Sequence, residues 1–80
     1  DREMDSPIVR RIRESIESDH DAEIADLHVW RVGRASHAAV MTVVAHEPLA
    51  PEAYRRRLEK IASLVHVSVE VNHCPHRECP

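Results

Sequence analysis

Apolar residues recur with two different periods along this chain, and the changes of period mark five elements. Ile8, Ile12 and Ile16 stand four apart with Val9 beside them, while Arg10, Arg13, Glu14 and Glu17 fall opposite, the pattern of an amphipathic helix. Asp5-Ser6-Pro7 opens it, with Ser6 as cap and Pro7 at the first helical position; Asp19-His20-Asp21 closes it. From Glu23 to Val32 the period shortens to two. That places Ala25, Leu27 and Val29 on one face of a strand and Asp26, His28 and Trp30 on the other. Gly33 to Ser36 reads as a turn, with Gly33, the only glycine, as its natural left-handed position. His37 to Ala45 is a strongly apolar second strand, expected antiparallel to the first. Pro48 and Pro51 end it, and a second helix is expected from about Pro51 to Ser63. Leu58, Ile61 and Ala62 would turn inward, with Glu52–Arg56 and Arg55–Glu59 at i,i+4 spacing outside. In the third strand, Val65, Val67, Val69 and Val71 share one face and His66, Ser68 and Glu70 the other.

The order α-β-β-α-β predicts an α+β two-layer sandwich: a three-stranded sheet with two helices on one face. The second sheet face would display Asp26, His28, Trp30, His66, Ser68 and Glu70. This polar, partly aromatic surface suits a partner subunit, a metal or solvent.

Eighty residues form a single domain spanning 1–80, and a chain so short buries only about 60–65% of its unfolded surface. Phenylalanine is absent, and Trp30 and Tyr54 are the only aromatics, so Ile, Val, Leu and Ala must build the core. A homodimer, or failing that a metal, is therefore expected to support the fold. The net charge of −3 argues against nucleic acid as a partner. Arg55-Arg56-Arg57 is offset by Glu52 and Glu59 and reads as a solvated helix face. No apolar run approaches the roughly 20 residues that cross a bilayer, so the chain itself is expected to be soluble. No nucleophile elbow, phosphate-binding glycine loop or carboxylate pair is present, and no enzyme is expected.

The chemistry gathers at the C-terminus. His73-Cys74-Pro75-His76-Arg77-Glu78-Cys79 offers four imidazole or thiolate donors in seven residues, a set that suits borderline and soft divalent metals. The spacing matches no standard zinc finger. The alternative is an ordinary terminus whose thiols oxidise to each other. On the first strand His28 lies two residues from Trp30 and from Asp26, which could bind metal directly or orient the imidazole; the alternative is a half-buried histidine hydrogen-bonded across the sheet. His37 and His20 are weaker candidates, and His46 and His66 read as surface residues.

Asp26-Leu27-His28-Val29-Trp30, the element order and the closing Val69-Glu70-Val71-Asn72-His73-Cys74-Pro75 resemble the cytosolic C-terminal domain of the cation diffusion facilitators, a family of divalent-metal/proton antiporters. His28-Val29-Trp30-Arg31-Val32-Gly33 with His37 is most similar to the branch associated with cobalt and nickel efflux. The resemblance implies a ferredoxin-like, metallochaperone-like domain that forms a V-shaped dimer below the membrane and binds cytosolic metal near the dimer interface. It also implies that residues 1–5 are a linker following a transmembrane domain; the donor set itself makes residues 72–80 the expected metal-binding tail. The sequence departs from the zinc-transporting members at Ala25 and Met41, where they carry histidines, and at Asn72, His73 and Cys74, where they read His-x-Asp.

The expected function is a dimeric regulatory metal-sensing domain on the cytoplasmic side of a divalent-cation efflux transporter. Cys74, Cys79, His76 and His73 are the expected ligands, with His28 contributing from the sheet. Zinc is the expected ion in vitro, with cobalt, nickel and cadmium as alternatives. Two rivals are a free-standing metallochaperone and a dimerisation module that binds no physiological metal.

Overall fold

The computed structural model describes residues 7–75. Ser6, the residues of the linker, His76 and Cys79 lie outside them. Helix α1 spans Pro7–Ile16 and runs into a 3-10 turn at Glu17–Asp19; β1 follows at Glu23–Arg31, β2 at His37–Ala45, α2 at Pro51–Arg57 and β3 at Leu64–His73. This is the α-β-β-α-β sandwich that the periodicity predicts. β2 is the central strand, antiparallel to β1 and parallel to β3. A parallel return needs a crossover, and α2 supplies it.

One apolar core fills the space between the sheet and the helices. Val9, Ile12 and Ile16 descend from α1, Tyr54 and Leu58 from α2, and Ala39, Met41 and Val43 rise from β2. Tyr54 is fully buried, and its hydroxyl accepts the Leu49 N–H at 3.2 Å. A buried phenol needs such a partner.

Five local expectations are corrected. The second helix ends at Arg57 and gives way to turns rather than reaching Ser63. Leu58 and Ile61 stay buried in those turns, whereas Ala62 is exposed. Ala25 does not face the core: Ile24 pairs with Val43 and Asp26 with Thr42, so Ala25 is the extra residue of a β-bulge. The bulge resets the alternation, letting Ile24, Leu27 and Val29 all point inward. Val65 is a second such residue, skipped between the pairs His37–Leu64 and Ala38–His66 and 51% exposed. Gly33 does not take a left-handed conformation; the positive φ belongs to His20, at 65°. His20 closes the 3-10 turn by donating its N–H to the Glu17 carbonyl.

Two carboxylates fasten the loop that follows. Asp19 accepts the N–H groups of Asp21 and Ala22 and meets the Arg57 guanidinium at 3.0 Å. Its pKa is lowered to about 2, first by the Ala22 N–H. Asp21 accepts the N–H groups of His46 and Glu47 and lies 3.1 Å from the His46 ring, tying the entry of β1 to the exit of β2. Its pKa is lowered as well, chiefly by the Glu47 N–H.

Candidate metal centre

The uncovered face of the sheet follows from the register. Across the three strands, Asp26, Thr42 and Glu70 form one row, His28, Val40 and Ser68 the next, and Trp30, Ala38 and His66 a third. His28 Nε2 stands 3.2 Å from Asp26 Oδ2, both largely exposed. The imidazole and the carboxylate therefore stand within ion-pair distance on the open face. Trp30 is 47% exposed, while Ala38 between Trp30 and His66 is only 4% exposed. The row thus carries an aromatic and an imidazole flanking a small buried residue.

The tail begins at the opposite end of the sheet. His73 is the last residue of β3, paired with Ala45 and exposed. Cys74 extends the ladder by one more bond, its N–H donating to the Ala45 carbonyl at 2.9 Å. Its side chain is 6% exposed and disulfide-bonded. A disulfide sulfur is not a thiolate, and the thiolate is the metal ligand. Cys74 can therefore serve a metal only after reduction.

The structure does not bring His28 to this end of the sheet. His28 pairs with Val40 and His73 with Ala45, five positions further along β2, which is about 17 Å at the rise of a strand. The two imidazoles also lie on opposite faces, because His73 shares the alternation of Val67, Val69 and Val71. Within one protomer they cannot hold the same ion. Among the described residues, no three His, Cys, Asp or Glu side chains converge closely enough to hold a metal. His37 is held by its N–H to the Ser63 carbonyl, and its Nδ1 is buried without a hydrogen-bond partner. That orphaned nitrogen is a feature only the three-dimensional structure reveals.

No protein-family model matches the chain, and no curated protein sequence matches it. Solved structures do. The cadmium form of a MamM C-terminal domain (CTD) variant superposes with a TM-score of 0.74 at 20% identity, covering 89% of this chain and 98% of that one. A nickel form gives 0.71 at 20% identity over 84% and 95%, and a copper form gives 0.71 at 20% over 84% and 94%. The chain has the fold of the MamM CTD. Nearly the whole of each MamM CTD is matched, so the likeness concerns the complete α-β-β-α-β unit. No helix among the described residues is long and apolar enough to cross a membrane.

Proposed function

We propose that this chain is the dimeric, metal-sensing cytosolic domain of a divalent transition-metal efflux transporter of the cation diffusion facilitator type. The observation that carries this reading is the donor set at the end of β3. His73 and Cys74 directly continue a strand fixed to the central strand of the sheet, and His76 and Cys79 follow in sequence. The fold shared with the MamM CTD, and the nickel, cadmium and copper forms in which that domain is known, support it. So do the sequence motifs that resemble the family.

The domain has no catalytic role in this reading. Reduced Cys74 and Cys79 with His73 and His76 hold the ion, and zinc and cadmium suit the thiolates. His28, about 17 Å away on the other face, joins a shared ion only from a second protomer or binds separately. Metal regulates the attached membrane domain by favouring one dimer geometry, and it shifts that equilibrium by its difference in affinity for the two arrangements. The domain lies on the cytoplasmic side, where thiols are kept reduced.

The test is a thermal unfolding series on reduced protein. Zinc at a hundredfold excess over its Kd adds about 2.7 kcal/mol to the folded state, a rise in Tm that Cys74→Ala/Cys79→Ala abolishes. An equal rise in that variant rejects the tail as the site. No rise in either protein favours the rival reading of a dimerisation module without metal.

A further inference from the structure

Trp30, Val32, Val40, Leu49 and Val65 are the large apolar side chains that stand exposed among the described residues. The first two and the last gather at one end of the sheet. Trp30 is the penultimate residue of β1, Val32 donates its N–H to the Ser36 carbonyl across the turn that follows, and Val65 is the bulged residue at the start of β3. Exposed basic side chains are interleaved with them. Arg31 and Arg34 stand at and in the turn, and Lys60 lies in the turns that return the chain to this end, where the Ser63 carbonyl accepts the His37 N–H. Across residues 30–37 and 58–66 the one carboxylate is Glu59.

The other end of the sheet carries the opposite sign. Glu17, Asp19, Asp21, Glu23 and Glu47 lie about the start of β1 and the exit of β2, and the arginines there, Arg13 and Arg57, are paired with Glu17 and Asp19. A chain of net charge −3 is thus polarised along its strands. Helix α1 shows which end faces the residues that precede it. Its last turn lies by the start of β1, where Arg13 reaches the Ile24 carbonyl, and Val9, Ile12 and Ile16 hold it over the core. The helix therefore runs back along the sheet, and Pro7 is its end turned toward the basic, apolar pole.

We infer that this pole is a contact surface for the anionic headgroups of a membrane leaflet. Arg31, Arg34 and Lys60 meet the phosphate and carboxylate groups, and Trp30, Val32 and Val65 enter the layer between headgroups and acyl chains. The inference rests on the reading of this chain as a domain joined through its N-terminus to a membrane protein. Each basic residue beside an anionic leaflet strengthens attachment about fivefold. Tryptophan favours the same layer because its ring is apolar and its N–H is polar. Single exposed apolar residues are ordinary on a protein surface; their convergence with unpaired positive charge, at the pole toward which α1 begins, is what points to lipid. An acidic protein surface would match the arginines and the lysine but leave the tryptophan and valines without a role. The acidic pole, with the end of β3 and the tail that follows it, turns away from the bilayer.

The experiment is performed in chelator on the metal-free chain, in which Trp30 is the only tryptophan and so reports on this pole directly. Vesicles of phosphatidylcholine with about one-third phosphatidylserine should shift its emission to the blue and shield it from acrylamide, and vesicles of phosphatidylcholine alone should not. The chain's net negative charge opposes such binding, so a response marks the local surface. Arg31→Glu/Arg34→Glu should weaken vesicle affinity at least about tenfold, and raising the salt to about 0.5 M should weaken the native chain likewise. Arg55→Glu/Arg56→Glu, at exposed positions of α2, should change it less than about threefold. Circular dichroism shows each variant folded. Equal response to neutral vesicles, or equal loss in the two variants, overturns the inference. No response to either vesicle overturns it as well and turns Arg31 and Arg34 toward a protein surface. Zinc titration of the same samples separates the two claims: zinc binding without vesicle binding leaves the sensor standing, and vesicle binding without zinc binding leaves only this surface.

Discussion

Replacing Arg57 by alanine removes three contacts made by one guanidinium. Its Nη1 donates to the Ile16 carbonyl at 2.7 Å, its Nη2 meets Asp19 Oδ2 at 3.0 Å, and its centre lies 5.0 Å from the centroid of the Tyr54 ring. Ile16 ends α1 and caps the 3-10 turn that follows, so Arg57 adds a charged donor to a helix-terminal carbonyl. A hydrogen bond from a charged donor contributes about 1.5–3 kcal/mol. The ion pair adds about 0.2–1 kcal/mol, because Asp19 is substantially exposed, and the ring contact about 0.5–1 kcal/mol. Contributions that share one group do not add fully, and the expected loss is about 2–3 kcal/mol. Urea unfolding followed by circular dichroism should show it as a lower midpoint with an unchanged slope. Arg57→Lys, which keeps the charge and loses the fork, should recover less than half. A loss below about 0.5 kcal/mol, the range of an ordinary surface substitution, would refute the reasoning and return Arg57 to the solvent.

Acid adds a second arm to that experiment. The Asp19 pKa falls from 3.8 to about 2 on folding. The stability linked to it is therefore fully present above pH 3.8 and is lost as the pH falls through about 2. The Ala22 N–H is the largest cause and Arg57 a lesser one. Arg57→Ala should consequently keep most of this acid dependence, while Asp19→Asn should remove it.

Tyr54→Phe leaves the Leu49 N–H without its acceptor and should cost about 1 kcal/mol in the same unfolding assay. Ile12→Ala, at a fully buried core position, should cost about 2–5 kcal/mol. Because His28 and His73 lie on opposite faces and far apart along the sheet, His28→Ala should change zinc affinity at the tail less than about threefold in a monomeric variant, as read by competition with a chromogenic chelator. Oxidised protein, in which Cys74 is disulfide-bonded, should bind zinc at least about tenfold more weakly than reduced protein in that competition.

The layers of this fold are legible in the sequence because each element keeps its period over several turns or alternations. The isoleucines of α1 and the valines of β3 leave little choice. Where one residue interrupts a period, legibility fails. Ala25 reads as an inward position only if the strand is regular, and nothing local to it announces the bulge. Val65 fails for the same reason. Leu58 and Ile61 keep helical spacing and so extend the second helix in the sequence pattern, yet turns bury them equally well. Arg57 reads as one of three solvated arginines, and its partners Ile16 and Asp19 are distant in sequence. Gly33 was the natural candidate for positive φ, but the turn between β1 and β2 closes through the Val32 N–H and the Ser36 carbonyl without it. The candidate ligands stand out in the sequence by residue type. Their separation, with His28 on one face and His73 at the far end of the other, depends on strand register.

Calorimetric titration of reduced protein with zinc, set beside Cys74→Ala/Cys79→Ala, tests the central claim most directly. The account predicts micromolar or tighter binding that the variant loses. Equal binding by both proteins would contradict it and place the site among the histidines of the sheet, and no binding by either would remove the sensor altogether.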